Sequence, residues 1–353
     1  MLKHRFLFMP FLIFFSAFLL DKILLLESIQ TYFSKTMSEV NFILKPELYQ
    51  ELKTYLQTPK RKKVLVYFGN SRALLFTNEY IEKKYPQWIL FNFSVPGGTP
   101  DYAKFWLEKF KTDNIKPDFV LLDHSIEAYN ADNKLNIDEV LVNGLDFSFL
   151  IRHINRYSSR EISDFVAKQM FQLYKYRPKI STIKERIAND SMGLKLYREW
   201  RNDIKNKIRK ERGSASPALH TTSAYTPDEE LKKLAEGDFQ MYLGSFRLKT
   251  STLKFQQENI AILKEMQIPF ATIWVRLSDP YLNLIMTRKI TTDAGNTTAY
   301  NAWIGNIRKL DADFWDMNLD PEYKCNKFSD AGHMAPACYP DYTDFIFNRL
   351  GTD

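Results

Sequence analysis

Two cysteines in 353 residues are too few for a disulfide-built scaffold or a multi-cysteine zinc module. Twelve glycines and fifteen prolines exclude a collagen-like or low-complexity chain. Histidines are also scarce: His4, His124, His153, His220 and His333 are all there are, so each candidate base is weighed singly. Histidines and carboxylates nowhere recur at ligand spacing, so neither a metal nor another cofactor is expected. Zinc-finger, RNA-recognition and helix-turn-helix signatures are missing, and no nucleic-acid partner is expected. What remains is 45% hydrophobic and 26% charged, an ordinary globular composition with room for one large core or two smaller ones.

The N-terminus is the exception to that ordinary character. Phe6 to Leu20 form an apolar stretch broken only by Pro10 and Ser16, behind the positive flank Lys3-His4-Arg5. Asp21-Lys22 interrupt it, and Ile23-Leu24-Leu25-Leu26 continue it. As a helix, the stretch reaches about 22 Å, and about 32 Å when extended to Leu26, against a ~30 Å hydrocarbon core. The positive flank predicts an N-in, C-out orientation. Leu26-Glu27-Ser28 is a poor cleavage site, so an uncleaved signal-anchor is expected rather than a removed signal peptide. Either reading exports the rest of the chain: inner-membrane anchored by its N-terminus, the bulk periplasmic.

Export gives the cysteines a meaning. Cys325 and Cys338 lie thirteen positions apart in a compartment where disulfides persist, and a bridge between them is expected over two free buried thiols. Closing a loop of that size contributes on the order of 3 kcal/mol.

The net charge of +7 is uneven. Lys175 to Arg212 hold 13 Lys/Arg against 5 Asp/Glu, a net of +8, leaving about −1 for everything else. Such a run suits anionic lipid headgroups, an anionic glycan or nucleic acid. Its interleaved Ile187, Leu194, Leu196, Trp200, Ile204 and Ile208 also fit a plain solvated helical face, the commoner meaning of a charge run.

Along the chain, residues 27–60 read as a juxtamembrane helical segment. Val64–Phe68 is a continuous apolar run bounded by charge and glycine, hence a buried strand. Arg72–Tyr85 reads as helix, Trp88–Phe93 as strand, Asp101–Lys111 as helix and Phe119–Leu122 as strand. That alternation predicts an α/β fold with a parallel, doubly wound sheet. From about 131 to 250 the pattern breaks into a basic helical insertion. It resumes over 251–353, with a helix Thr252–Met266, a strand Phe270–Val275, a last strand before Asp316 and a terminal helix after Asp341. The α/β body is therefore expected as two halves, 61–130 and 251–353, behind an anchor at 1–26. Trp88, Trp106, Trp274 and Trp315 fall on core elements and are expected to pack.

Active sites in such sheets lie at the carboxyl ends of the strands. After the first strand comes Gly69-Asn70-Ser71-Arg72. A serine there can project its hydroxyl from the turn and present its own N–H, or simply cap a helix. After the second comes Asn92-Phe93-Ser94-Val95-Pro96-Gly97-Gly98, whose glycines allow close backbone approach and N–H groups aimed at an oxyanion. Near the C-terminus, Asp330 and His333 stand one helical turn apart, so the carboxylate can hold one imidazole nitrogen and free the other. His124, beside the third strand end, is a rival base, although a hydrogen-bonded structural role suits it better. His153 and His220 are assigned no role.

Gly69-Asn70-Ser71, Asn92 to Gly97, Pro117-Asp118-Phe119-Val120 and Asp330-x-x-His333 resemble the ordered sequence blocks of the SGNH/GDSL hydrolase superfamily over about half the chain. With its N-terminal anchor, the chain looks closest to the membrane-anchored envelope proteins of that superfamily, such as those assisting teichoic-acid D-alanylation or alginate acetylation, and to an uncharacterised family abundant in spirochaetes. The resemblance implies a three-layer flavodoxin-like sandwich and ester chemistry on a cell-envelope glycan or lipid. It implies Ser71 as nucleophile, His333 as base, Asp330 as its orienter, and the N–H groups of Ser71 and Gly97 as oxyanion donors. Asn70 stands where the usual pattern has Asp. The third block departs further: Asp123-His124-Ser125-Ile126-Glu127 replaces Gly-x-Asn-Asp, and an ionised Glu127 cannot donate a hydrogen bond. Losing one oxyanion donor typically costs ~10²–10³ in rate, so Ser125 and Asn130 are the candidates to replace it. The expected function is a membrane-anchored serine esterase or O-acyltransferase. The alternative is a catalytically degenerate scaffold partnering an integral-membrane acyltransferase.

Overall fold

The computed structural model describes residues 5–34, 38–133, 138–188, 194–216, 225–292, 295–310 and 312–351. Contacts divide the chain into two units: residues 1–37 with 146–203, and residues 38–145 with 204–353.

The larger unit is built on five parallel strands, β1 (Lys63–Phe68), β2 (Trp88–Asn92), β3 (Phe119–Asp123), β4 (Phe270–Trp274) and β7 (Phe314–Asp316). Their order across the sheet is β2-β1-β3-β4-β7. The runs of apolar residues predicted this, because parallel strands covered on both faces need no polar side. Every residue of β2, and of β1 beyond Lys63, is buried. One face carries Leu65, Tyr67, Leu90 and Leu121 against Ile81 and the terminal helix Tyr339–Arg349, with Tyr67 and Tyr342 hydroxyls 2.6 Å apart. On the other face, Phe68, Phe93 and Phe110 interlock at ring separations of 5.3–5.8 Å. Phe110 belongs to the helix Pro100–Asp113, which packs along Thr250–Glu265. The four expected core tryptophans are buried.

Several features depart from expectation. The helix expected over Arg72–Tyr85 is a short 3-10 turn, Ser71–Ala73, followed by Asn78–Lys84. Between them, Phe76 leaves the helical path to enter the core against Tyr339 and Tyr342. A small antiparallel ribbon, β5 (Lys289–Thr292) with β6 (Gly295–Thr298), carried no clear hydrophobic alternation. The segment expected as one insertion, 131–250, is shared between the units, and residues 38–60 belong with the sheet. Lys45 explains part of this: fully buried, it donates to the carbonyls of Asn92 (2.6 Å) and Gly213 (3.2 Å), fastening the end of β2.

The smaller unit opens with the helix Arg5–Asp21. The window Phe8–Leu25 is long and apolar enough for a membrane anchor or a signal sequence, and none of it is buried. Its other elements include the helices Ser159–Met170 and Gln172–Tyr176, the first closed by a reciprocal Ser158–Glu161 capping box.

Candidate active site

Chain order places β2 on one side of β1 and β3 on the other, so a crevice opens where the carboxyl ends of β1 and β3 diverge. Gly69-Asn70-Ser71 leaves β1 there, and Asp123-His124-Ser125 leaves β3. Asn70 adopts an extended backbone and caps the following turn, its side-chain oxygen accepting from Arg72 N–H at 2.9 Å. The cap turns Ser71 outward.

Ser71 Oγ lies 2.7 Å from His333 Nε2, although 262 positions separate the two residues. On the opposite side of the ring, His333 Nδ1 is 2.8 and 2.9 Å from the two oxygens of Asp330. Asp330 Oδ1 also accepts from the N–H groups of Gly332 (2.9 Å) and His333 (2.8 Å). Burial works to raise this carboxyl's pKa, but His333 and the two backbone donors hold it below the ordinary aspartate value. An ionised Asp330 makes Nδ1 the protonated nitrogen and Nε2 the acceptor of the Ser71 hydroxyl. The bridge Cys325–Cys338, with Cα atoms 5.5 Å apart, brackets this acid–base loop.

Val95 to Gly98 form a tight turn closed by Gly98 N–H to Val95 O at 3.0 Å, with Gly97 at φ +65° after Pro96. Gly98 has its own constraint, since a Cβ there would fall 2.1 Å from Gly69 O. The N–H groups of Ser71 and Gly97 meet no acceptor among the described residues. Both residues line a cavity of about 130 Å³, shared with Arg72, Thr99, Glu127, Tyr242 and His333.

The two proposed substitutes for the third-block donor are corrected by the geometry. Ser125 borders the cavity, but its hydroxyl donates to Asp123 Oδ2 (2.6 Å) while accepting from Asn70 Nδ2 and from Arg72 (3.2 Å). Asn130 spends both amide hydrogens on the carbonyls of Tyr242 and Ser245, at 2.7 Å each. Backbone groups left unpaired by the loop claim it first. Neither donor is free for an oxyanion.

Glu127 acts in a way that residue type alone could not reveal. It is buried and paired in two places with Arg72, at 2.7 and 3.1 Å, and Tyr281 donates to it at 3.0 Å. Burial disfavours both charges. Their mutual attraction nonetheless holds Glu127 below the usual carboxylate range and Arg72 above its own ordinary value. Arg72 also donates through Nε to Gly332 O at 2.9 Å, so one guanidinium ties the serine turn, the β3 loop and the histidine loop together. That is the arrangement planar five-donor geometry suits.

Sequence reasoning also missed Asp238 and Tyr242. Four positions apart on the helix Asp228–Tyr242, they share one face, and Tyr242 lines the cavity. Burial, then the nearby charge of Asp330, pushes the Asp238 carboxyl up to about 6. The only advance signal was an acidic residue on an amphipathic helix. His124 is fully buried, its Nδ1 2.6 Å from Tyr129 OH, and burial pushes its pKa down to about 3, so it stays neutral. His153 packs its ring at a tilt against Phe149 in the smaller unit, while His4 and His220 lie outside the described residues. Among the described residues, no group of His, Cys, Asp and Glu is clustered to hold a metal.

A family model described as Protein of unknown function (DUF1574) matches residues 1–350. No curated protein matches the chain.

Proposed function

We propose a function from the site geometry, because the chain belongs to the family described as Protein of unknown function (DUF1574), a description that states no activity. The chain is read as an exported, membrane-tethered SGNH-like serine acyl-transfer enzyme, an esterase or O-acyltransferase, acting on an envelope glycan or lipid. The observation that carries this reading is the unbroken line Ser71 Oγ–His333–Asp330, with both links under 3 Å. The strand order and the crevice at its switch point support the flavodoxin-like SGNH sandwich. The apolar N-terminal helix and the disulfide support the periplasmic side of an inner membrane.

In the first half-reaction, Ser71 Oγ bonds to the ester carbonyl carbon while its proton passes to His333 Nε2. The carbonyl oxygen, now negative, rests on the N–H groups of Ser71 and Gly97. The carbonyl re-forms, the C–O bond to the alcohol breaks, and His333 returns the proton to the leaving oxygen. Water (esterase) or a sugar hydroxyl (transferase) then attacks the acyl-serine, giving its proton to His333, and Ser71 is regenerated. Asp330 keeps the imidazole in the productive tautomer throughout.

The occupied donors of Ser125 and Asn130 favour a second reading, a degenerate scaffold partnering an integral-membrane acyltransferase. Labelling by a serine-directed fluorophosphonate separates the two. Wild type should label, and Ser71→Ala should abolish the signal, because the oxygen that would form the covalent bond is gone. Equal labelling of both proteins defeats the nucleophile assignment. Labelling of neither favours the scaffold.

A further inference from the structure

We infer that the surface around Met170–Ile180 is a second membrane contact, docking on an anionic phospholipid bilayer beside the end of the N-terminal apolar helix. All the residues in the argument belong to the smaller unit.

The physical problem begins at Asp21 and Lys22. They fall inside the apolar window Phe8–Leu25, about four residues or 6 Å from its end. Charges at that depth are costly unless paired or carried to the interface. Both are turned onto a single segment. The Asp21 carboxylate accepts from the N–H groups of Gln172 and Leu173, at 2.7 Å each. The Lys22 ammonium donates to the carbonyl of Met170 and covers the Phe18 ring at 4.2 Å. Phe171 meets Phe18 edge-on at 6.2 Å. The segment is therefore bolted to the last turns of the apolar helix. If that helix spans a bilayer, residues 170–174 sit at the boundary between hydrocarbon and headgroups.

Their side chains suit that boundary. Met170 is 43% exposed, Leu173 62% and Tyr174 41%, and Ile180 farther along is 71% exposed. Single exposed apolar residues are ordinary, but three in five positions on a segment fastened to an apolar helix concentrate apolar side chains at that helix's end. Arg177 and Lys179 are exposed between them, and a tyrosine at the edge is a typical interfacial residue. The unit as a whole supplies matching charge. Residues 1–37 and 146–203 contain 16 Lys/Arg and nine Asp/Glu, a net of +7 that equals the charge of the entire chain. Apolar side chains to insert, cations to meet lipid phosphates, and direct continuity with a candidate span select an anionic bilayer over a dissolved polymer.

The test uses the full chain reconstituted into phosphatidylcholine liposomes with or without phosphatidylglycerol. Both native cysteines are bridged, so Leu173→Cys offers a single thiol for an environment-sensitive fluorophore. Leu319→Cys, at a 50% exposed position in the other unit, is the control. At 173, brominated lipid should quench the probe and aqueous iodide should quench it several-fold less than at 319. Iodide access equal to that at 319 overturns the inference. So does shielding from iodide without quenching by lipid, which identifies a protein covering instead. Arg177→Glu with Lys179→Glu should weaken lipid quenching at 173 only when phosphatidylglycerol is present, at roughly fivefold in partitioning per cation removed. An equal effect in both lipids removes the anionic requirement.

Discussion

The two units handle charge in opposite ways. The larger holds 33 basic and 33 acidic side chains and is electrically neutral, whereas the smaller carries the whole net charge of +7. In the neutral unit, ionised side chains are sequestered in partnerships, Arg72 with Glu127 and Asp330 against the His333 imidazole. In the basic unit, cations such as Arg177 and Lys179 are exposed beside bare apolar side chains. A buried charge has to be paired, so its partner reveals an internal architecture. An exposed excess of one sign is set by what lies outside the molecule.

The sharpest way to test that contrast is to break a pair in the neutral unit. Arg72→Met strands Glu127, whose side chain is only 4% exposed, and should destabilise the larger unit by about 3–5 kcal/mol in urea unfolding. Adding Glu127→Met should recover most of the loss. If the double variant is no more stable than the single one, the pairing does not account for the cost. A smaller effect is expected at the bridge beside it. Cys338→Ser should cost about 3 kcal/mol for a loop of this length, and Cys325→Ser with Cys338→Ser should cost about the same. A much larger loss in the double variant would mean that packing of the thiols, not closure, dominates.

Asp238 tests the same contrast through pH. Its pKa rises from 3.8 to about 6 on folding, so the folded state favours the protonated form. The resulting destabilisation is absent below about pH 4, grows between pH 4 and 6, and is complete above that. Asp238→Asn should therefore stabilise the protein at pH 7 and leave it unchanged near pH 4. Because the group is only half buried, the gain should not exceed about 1 kcal/mol. A gain that is the same at both pH values would exclude ionisation as its cause. The smallest effect belongs to the basic unit: Lys179→Gln should change stability by less than about 0.5 kcal/mol, while still lowering affinity for phosphatidylglycerol liposomes. A large stability loss there would erase the distinction between the units.

Much of the sheet was legible because its signals are local. Val64–Phe68, Trp88–Phe93, Phe119–Leu122 and Phe270–Val275 are short apolar runs closed by charge, proline or glycine, and each matches a strand to within a residue or two. Candidate positions for Ser71, Gly97, Asp330 and His333 followed from a rule about strand ends, and the structure brings all four to one cavity or its loop. Ser125 and Asn130 were misread because residue type states what a side chain can donate, not who claims the donation first. The helix expected from Arg72 failed because core burial of Phe76 outweighed local propensity.

By itself, the amino-acid order determined the parallel α/β character, the apolar N-terminal helix, the pairing of the only two cysteines and the types of group available for chemistry. Those follow from periodicity, length and count, which neighbouring residues express without knowledge of the fold. Tertiary structure alone decided that Arg72 would bind Glu127, 55 positions away, and that Ser71 would meet His333 across 262. Such partnerships form only after the chain has closed its loops, when burial makes each unpaired charge or donor too costly to leave unmet.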